Sequence, residues 1–260
     1  MKNVGAIPIR AVTVLDKCGQ ACTVLVVDEM PLTLFLDNQK IVTLMTLGNY
    51  PEALAVGYLR NQTFIKTLPE IRSIQISLEN KTVEIDTLDN LDMKKPVLST
   101  VQSGCGQGLS LDIDNLEDIH LSHPPLKQSL IYTLLDTLAQ SNQIHRQAGG
   151  VHTCALCQMS DILGFVEDVG RHNAIDTIAG LMWLNDWSGE DKIFYTTGRL
   201  TSEMVMKVAL MRIPVLLSRS GVTYKGIEIA KKVGITLIAH AKGQHLLVFN
   251  DNKTIVFDTN

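Results

Sequence analysis

Cys105 stands in Ser103-Gly104-Cys105-Gly106-Gln107-Gly108, a setting that suits nucleophilic sulfur chemistry. Glycine on both sides removes side-chain bulk and permits positive φ. The amide N–H groups of such a stretch can stabilise a thiolate or a persulfide anion. The plainer alternative is a cysteine in a glycine-rich turn. A second polar group is Glu167-Asp168-Val169-Gly170-Arg171-His172-Asn173, between an apolar strand and an amphipathic helix. Asp168 or Asn173 can cap that helix, and its free N–H groups with Arg171 then form an anion site; otherwise these residues are a capped helix and a solvated turn. Thr196-Thr197-Gly198-Arg199 and Ser218-Arg219-Ser220-Gly221-Val222-Thr223 share one plan: strand end, loop of glycine and hydroxyls, helix start. Two such loops on one sheet edge suit two phosphates of a nucleotide-like ligand. Spacing by four puts Arg199, Glu203 and Lys207 on one helical face, as a phosphate clamp or a salt-bridge ladder. His240-Ala241-Lys242-Gly243-Gln244-His245 reads as a basic hairpin tip, with an ordinary polar turn as the plainer alternative. His152, Cys154 and Cys157, with His172 as a fourth ligand, make a candidate zinc set. Cys154-Ala155-Leu156-Cys157 equally fits an apolar strand in which cysteine is a small hydrophobe.

The elements that must hold these residues follow from periodicity. Residues 23–28 and 32–36 read as strands interrupted at Pro31, and 41–46 as a hairpin partner after a turn at Asp37-Asn38. Pro51 opens a helix carrying Leu54, Ala55, Tyr58 and Leu59. Residues 71–78 and 81–88 alternate as a second hairpin. The stretch 89–109 reads as a loop that carries function. Residues 129–139 are helical, with Leu130, Leu134, Leu135 and Leu138 on one face. A strand then ends at Phe165-Val166. After it come a helix from Asn173 to Leu184, a strand at 192–196, a helix at 201–211, a strand at 213–218, a helix at 222–233 and strands at 235–239 and 246–249. This alternation predicts a three-layer α/β sheet with its loops at the carboxyl ends of the strands.

Hydrophobic residues make up 45% of the 260 and charged residues 19%, which excludes a disordered chain and supports a sizeable core. With 23 basic and 27 acidic residues the formal charge is −4. A non-specific nucleic-acid binder needs a basic excess, so that class is excluded, while a local pocket for one phosphorylated ligand is not. The sequence shows no signal-peptide pattern and no apolar run of membrane-spanning length, so the expected location is the cytoplasm. Five cysteines, an odd number, argue against a disulfide framework there.

Together these motifs resemble the formate dehydrogenase accessory sulfurtransferase family, FdhD. The segment Glu167 to Asp176 is similar to that family's hallmark. Gly149-Gly150-Val151-His152, Gly198-Arg199 with Ser202-Glu203-Met204-Val205 and Lys207, Ile213-Pro214-Val215-Leu216 and Gly234-Ile235-Thr236-Leu237-Ile238 continue the match in order. The resemblance implies a cytidine-deaminase-like three-layer α/β domain over 126–260 and a smaller, strand-rich α+β domain over 1–125 ending in the Cys105 loop. It implies a sulfurtransferase that takes sulfur from a cysteine desulfurase as a Cys105 persulfide. The sulfur passes to a molybdenum bis(molybdopterin guanine dinucleotide) cofactor before insertion into the formate dehydrogenase apo-enzyme. The expected assembly is a homodimer, and guanine nucleotides should mimic the bound substrate. Arg171, His172, Gly198, Arg199, Ser218, Arg219, Ser220 and His240 to His245 are the expected cofactor contacts, with no metal ligand. The competing classes are a non-catalytic chaperone for that cofactor and a zinc-dependent deaminase or hydrolase.

Four departures stand out. Gly108 occupies the place of the family's second cysteine. Thr177 stands where the family usually has lysine. Asn61-Gln62-Thr63-Phe64 replaces its usual Glu-Gly pair after the first helix, and the loop Gly221-Val222-Thr223 lacks its usual proline.

Overall fold

The computed structural model describes residues 8–88, 119 and 121–259. Cys105 and the glycine-rich loop around it lie outside the described residues. Along the chain come β1 (Ile9–Leu15), β2 (Ala21–Val27), β3 (Met30–Leu36), β4 (Gln39–Thr46), α1 (Pro51–Asn61), a 3-10 turn (Leu68–Glu70), β5 (Ile71–Ser77) and β6 (Thr82–Thr87). Then follow β7 (Leu126–Lys127), α2 (Gln128–Ser141), α3 (Gln143–Ala148), β8 (His152–Gln158), β9 (Asp161–Asp168), α4 (Arg171–Leu184) and β10 (Ile193–Thr196). The last are α5 (Ser202–Leu210), β11 (Val215–Ser218), α6 (Tyr224–Val233), β12 (Thr236–Lys242), β13 (His245–Asn250) and β14 (Ile255–Val256). They form two compact units. One holds the described residues up to 88 with 142–152 and 167–180; the other holds those of 106–141 with 153–166 and 181–259. The sequence expectation was a single cut at residue 125, whereas β8, β9 and α4 each have residues in both units.

In the first unit a four-stranded sheet runs β4-β3-β6-β5. Asp37 and Asn38 join β3 to β4 with φ of 46° and 64°, the left-handed pair that a two-residue hairpin requires and that these residue types tolerate. β3 and β6 are parallel, so the chain crosses over between them, and α1 lies on that crossover with Pro51 at its start. Leu32, Leu34 and Leu36 alternate on the buried face of β3, and α1 buries Ala53, Leu54, Tyr58 and Leu59. Pro31 does not interrupt the strand as expected. It pairs with Met45 on β4, while pairing to β6 begins only at Thr33, so its missing N–H falls where there is no second neighbour. β1 and β2 form a separate antiparallel hairpin, exposed over most of its length.

In the second unit a six-stranded sheet runs β13-β12-β11-β10-β8-β9. β10, β11 and β12 are parallel neighbours, so their carboxyl ends share one edge. β8 and β13 run antiparallel to this trio. Ile131, Leu134, Leu135 and Leu138 of α2 pack into one core with Ala155, Cys157, Tyr195, Leu217 and Ile238. On the alternate positions Cys154, Leu156, Phe194 and Leu216 are equally buried. β9 reaches Asp168, two residues past the expected end at Val166, and α4 starts at Arg171 rather than Asn173. No described helix is long and apolar enough to cross a membrane.

Candidate functional site

Two loops leave the carboxyl ends of β10 and β11, and hydrogen bonds draw them to each other and to His240 near the end of β12. Thr196, the last residue of β10, accepts the Gly198 N–H on its hydroxyl at 3.0 Å. Its carbonyl accepts the Arg219 N–H at 3.1 Å. The buried Ser218 hydroxyl donates to the Gly198 carbonyl at 2.7 Å and accepts the Ser220 N–H at 2.9 Å. The His240 N–H donates to the Ser220 carbonyl at 3.0 Å. Further out, the Leu200 N–H donates to Gly221 and the Thr223 N–H to Leu200, at 2.9 and 3.0 Å. Gly198-Arg199, Ser218-Arg219-Ser220 and His240 therefore sit on one backbone scaffold. Two arginines and the starts of α5 and α6 border it, a setting that favours an anion.

Ser218→Ala should leave the Gly198 carbonyl and the Ser220 N–H without this partner in a buried place. We expect a loss of about 2–4 kcal/mol, read as a lowered urea unfolding midpoint.

His240 takes φ of 52°, and its ring stands 6.1 Å from that of Phe249, tilted by 41°. A β-carbon on Gly221 would come 3.4 Å from the His240 Cε1, an ordinary van der Waals contact, so the imidazole lies directly over this glycine. Ala241 is buried, while Lys242, Gly243, Gln244 and His245 are exposed at the β12–β13 turn, where Lys242 pairs with His245. The expected helical row of Arg199, Glu203 and Lys207 is corrected: α5 begins at Ser202 with Thr201 as its cap, so Arg199 belongs to the loop. Lys207 is fully buried, with its Nζ 3.9 Å from the Glu203 carboxylate one turn earlier.

The zinc set does not assemble. Cys154 and Cys157 lie three apart on β8, and strand side chains alternate faces. Cys157 joins the α2-side core, while the Cys154 thiol donates to the Thr196 hydroxyl at 3.4 Å. Burial pushes the Cys157 thiol up to about 12. Among the described residues no group of three or more His, Cys, Asp or Glu side chains is placed to hold a metal ion.

In the first unit, the acidic pair before α4 holds backbone. Glu167 accepts the Ile144 and His145 N–H groups, each at 2.9 Å. It thereby caps α3, whose own cap residue Asn142 makes no side-chain cap bond. Asp168 accepts from the Thr46 hydroxyl at 2.5 Å, the Leu47 N–H at 3.1 Å, the Gly170 N–H at 3.0 Å and the Asn173 amide at 2.9 Å. That amide also donates to the Met45 carbonyl at 2.7 Å. The expected capping of α4 by Asp168 or Asn173 is thus replaced by a tie between the ends of β4 and β9, because Asn173 lies inside the first turn of the helix. Burial pushes the Asp168 carboxyl up, and its four donors pull it the other way by less. Arg171 and His172 open α4, with His172 buried. Sequence reasoning missed the Glu167 cap; two backbone N–H groups 22 and 23 residues away leave no local signal.

The model of the FdhD/NarQ family matches residues 27–256. A sulfur carrier protein of Wolinella succinogenes is 29% identical, over 86% of this chain and 80% of that protein. A sulfur carrier protein of Bacillus subtilis is also 29% identical, over 88% of this chain and 89% of that one. Among solved structures, a protein of Desulfotalea psychrophila assigned as a formate dehydrogenase accessory protein superposes with a TM-score of 0.78 at 28% identity, covering 95% of this chain and 98% of that one. With one family model spanning both units and motifs matched in order, this chain belongs to the FdhD/NarQ family.

Proposed function

We propose that this chain is a sulfur carrier in the maturation of formate dehydrogenase, with Cys105 as the carrier thiol. A cysteine desulfurase presents a persulfide. The Cys105 thiolate attacks its outer sulfur, the donor's S–S bond breaks, the donor's thiolate leaves, and Cys105 holds the new persulfide. The sulfur then passes to the substrate, molybdenum bis(molybdopterin guanine dinucleotide), before that cofactor enters the apo-enzyme. Gly108 in place of a second cysteine means that release proceeds by attack from the acceptor or by reduction, without a disulfide inside the loop.

The observation that carries this reading is the meeting of Gly198-Arg199, Ser218-Arg219-Ser220 and His240 on one scaffold. Amide N–H groups and guanidinium forks suit the phosphates of a guanine dinucleotide. Arg171, His172, Ala241, Lys242, Gly243, Gln244 and His245 are assigned to the same cofactor on the family resemblance. The reading includes a homodimer working in the cytoplasm. It also includes a cytidine-deaminase-like layering of the second unit, which the parallel run β10-β11-β12 and the apolar residues on both sheet faces favour.

The test is mass spectrometry after incubation with a desulfurase and cysteine. The Cys105 peptide should gain one sulfur atom, and Cys105→Ala protein should gain none. Equal labelling of the two would end the proposal. Complementation separates it from a cofactor chaperone: a carrier loses formate dehydrogenase activity with Cys105→Ala, whereas a chaperone loses it only with Arg199→Ala.

A further inference from the structure

We infer that a cavity in the first unit, apart from the loops after β10 and β11, binds a carboxylate carried on an apolar body. The source of that group is either a small free acid or the C-terminal residue of a protein chain. The cavity has a volume of about 560 Å³ and is bordered by the exit of α1, the 3-10 turn and the end of β6, a size that suits such a ligand. Phe64, Pro69 and Leu88 give it apolar walls. Leu88 is 54% exposed, so apolar surface there lies uncovered. The position of Phe64 is set by backbone. The Thr63 N–H donates to the Arg60 carbonyl at 3.0 Å and the Phe64 N–H to the Leu59 carbonyl at 2.9 Å, the two bonds that close a helix on a left-handed residue. That residue is Thr63, with φ of 57°, a conformation that glycine takes freely and a β-branched side chain resists. Strained backbone therefore immediately precedes Phe64, and strain of this kind clusters at ligand sites.

Elimination identifies the polar partner. The Glu70 carboxylate accepts the Lys66 N–H at 3.2 Å and the Thr67 N–H and hydroxyl at 3.0 Å each. Thr87 gives its N–H and its hydroxyl to the Asp37 carboxylate, each at 2.7 Å. The Leu88 N–H donates to the Glu70 carbonyl at 2.9 Å, and the Leu88 carbonyl accepts from the Arg72 guanidinium at 2.6 Å. These wall groups are committed to one another, and both carboxylates are spent on neighbouring donors. The charge left over on the lining is the ammonium of Lys66, which is exposed and forms no ion pair among the described residues. A carboxylate can take a charge-assisted hydrogen bond from it, while the body that carries the carboxylate covers Leu88, Pro69 and Phe64. A neutral apolar molecule would leave the cation unmatched, and a multiply hydrogen-bonding one would find few free partners in these walls.

The test titrates 4-phenylbutyrate and its neutral analogue 4-phenylbutanol by calorimetry into the full chain and its Lys66→Gln and Leu88→Ala variants. Both residues are exposed, so neither change should disturb folding. The acid should bind about fivefold more tightly than the alcohol, and Lys66→Gln should abolish that difference. Leu88→Ala should weaken acid and alcohol alike, by about threefold. Acetyl-Leu-Phe and its C-terminal amide separate the two sources. If the peptide acid binds more tightly than 4-phenylbutyrate, and its amide more weakly, the site takes a protein C-terminus; the opposite order of the two acids assigns it to a small free acid. Equal affinity for 4-phenylbutyrate and 4-phenylbutanol, an acid affinity unchanged by Lys66→Gln, or binding of neither acid would overturn the inference. Sulfur loading of Cys105 is a separate readout, so either result leaves the carrier proposal to its own test.

Discussion

Gly57→Ala should destabilise the first unit by about 3 kcal/mol or more, measured as a lowered unfolding midpoint with loss of helical signal. A β-carbon on Gly57 would sit 1.7 Å from the Asp176 carbonyl oxygen and 2.6 Å from the Gly180 nitrogen. Those atoms are backbone, so no side chain can swing away. Gly180 is the reciprocal case: its β-carbon would lie 1.9 Å from the Ala53 carbonyl oxygen. Glycine inside a helix costs roughly 1 kcal/mol relative to alanine. Two of them facing each other mark a contact between α1 and α4 in which backbone meets backbone. The same contact holds the Asn61 amide, which donates to the Asp176 carboxylate at 2.7 Å. It also holds the Arg60 guanidinium, which donates to the Ala179 carbonyl at 3.0 Å and which burial lowers to about 10. Two of the family departures therefore meet here. Asn61 reaches Asp176, and Thr177 beside it turns its hydroxyl back to the Asn173 carbonyl at 2.8 Å.

Asp168→Asn should cost about 2–5 kcal/mol and flatten part of the pH profile of unfolding. The two carboxylate oxygens accept four hydrogen bonds. An amide offers one acceptor oxygen, and it turns an NH2 group toward two existing donors. The pH effect has a definite sign. Burial raises this carboxyl in the folded chain, so the native state keeps the proton to higher pH than the unfolded chain, whose aspartate titrates near about 3.9. The stability linked to this proton is complete below that unfolded value and is lost as pH rises through the raised native one. Urea midpoints taken across that range should fall with rising pH in the wild type through this group. In the asparagine variant that component should be absent. An unchanged slope would mean that Asp168 is ionised throughout and held by its donors alone.

Much of the architecture was readable because it is written in local periods. The alternation in residues 71–88 predicted the β5–β6 hairpin, and the spacing of Leu130, Leu134, Leu135 and Leu138 predicted the buried face of α2. β1 escaped because its apolar residues are largely uncovered, so its pattern reports no buried face. α4 began earlier than expected because Arg171 and His172 are polar residues in a helical turn, and polarity alone does not distinguish a turn from a loop.

By itself the sequence determined most of the strands and helices in their order, the two glycine-and-hydroxyl loops at strand ends and the glycine-flanked Cys105, because each depends on neighbours within a few residues. Only the tertiary structure decided that Glu167 and Asp168 hold backbone and that Ser218 bonds to Gly198 twenty residues earlier. Those outcomes depend on strand register and on hydrogen-bond partners far away in the chain, and no local period encodes either.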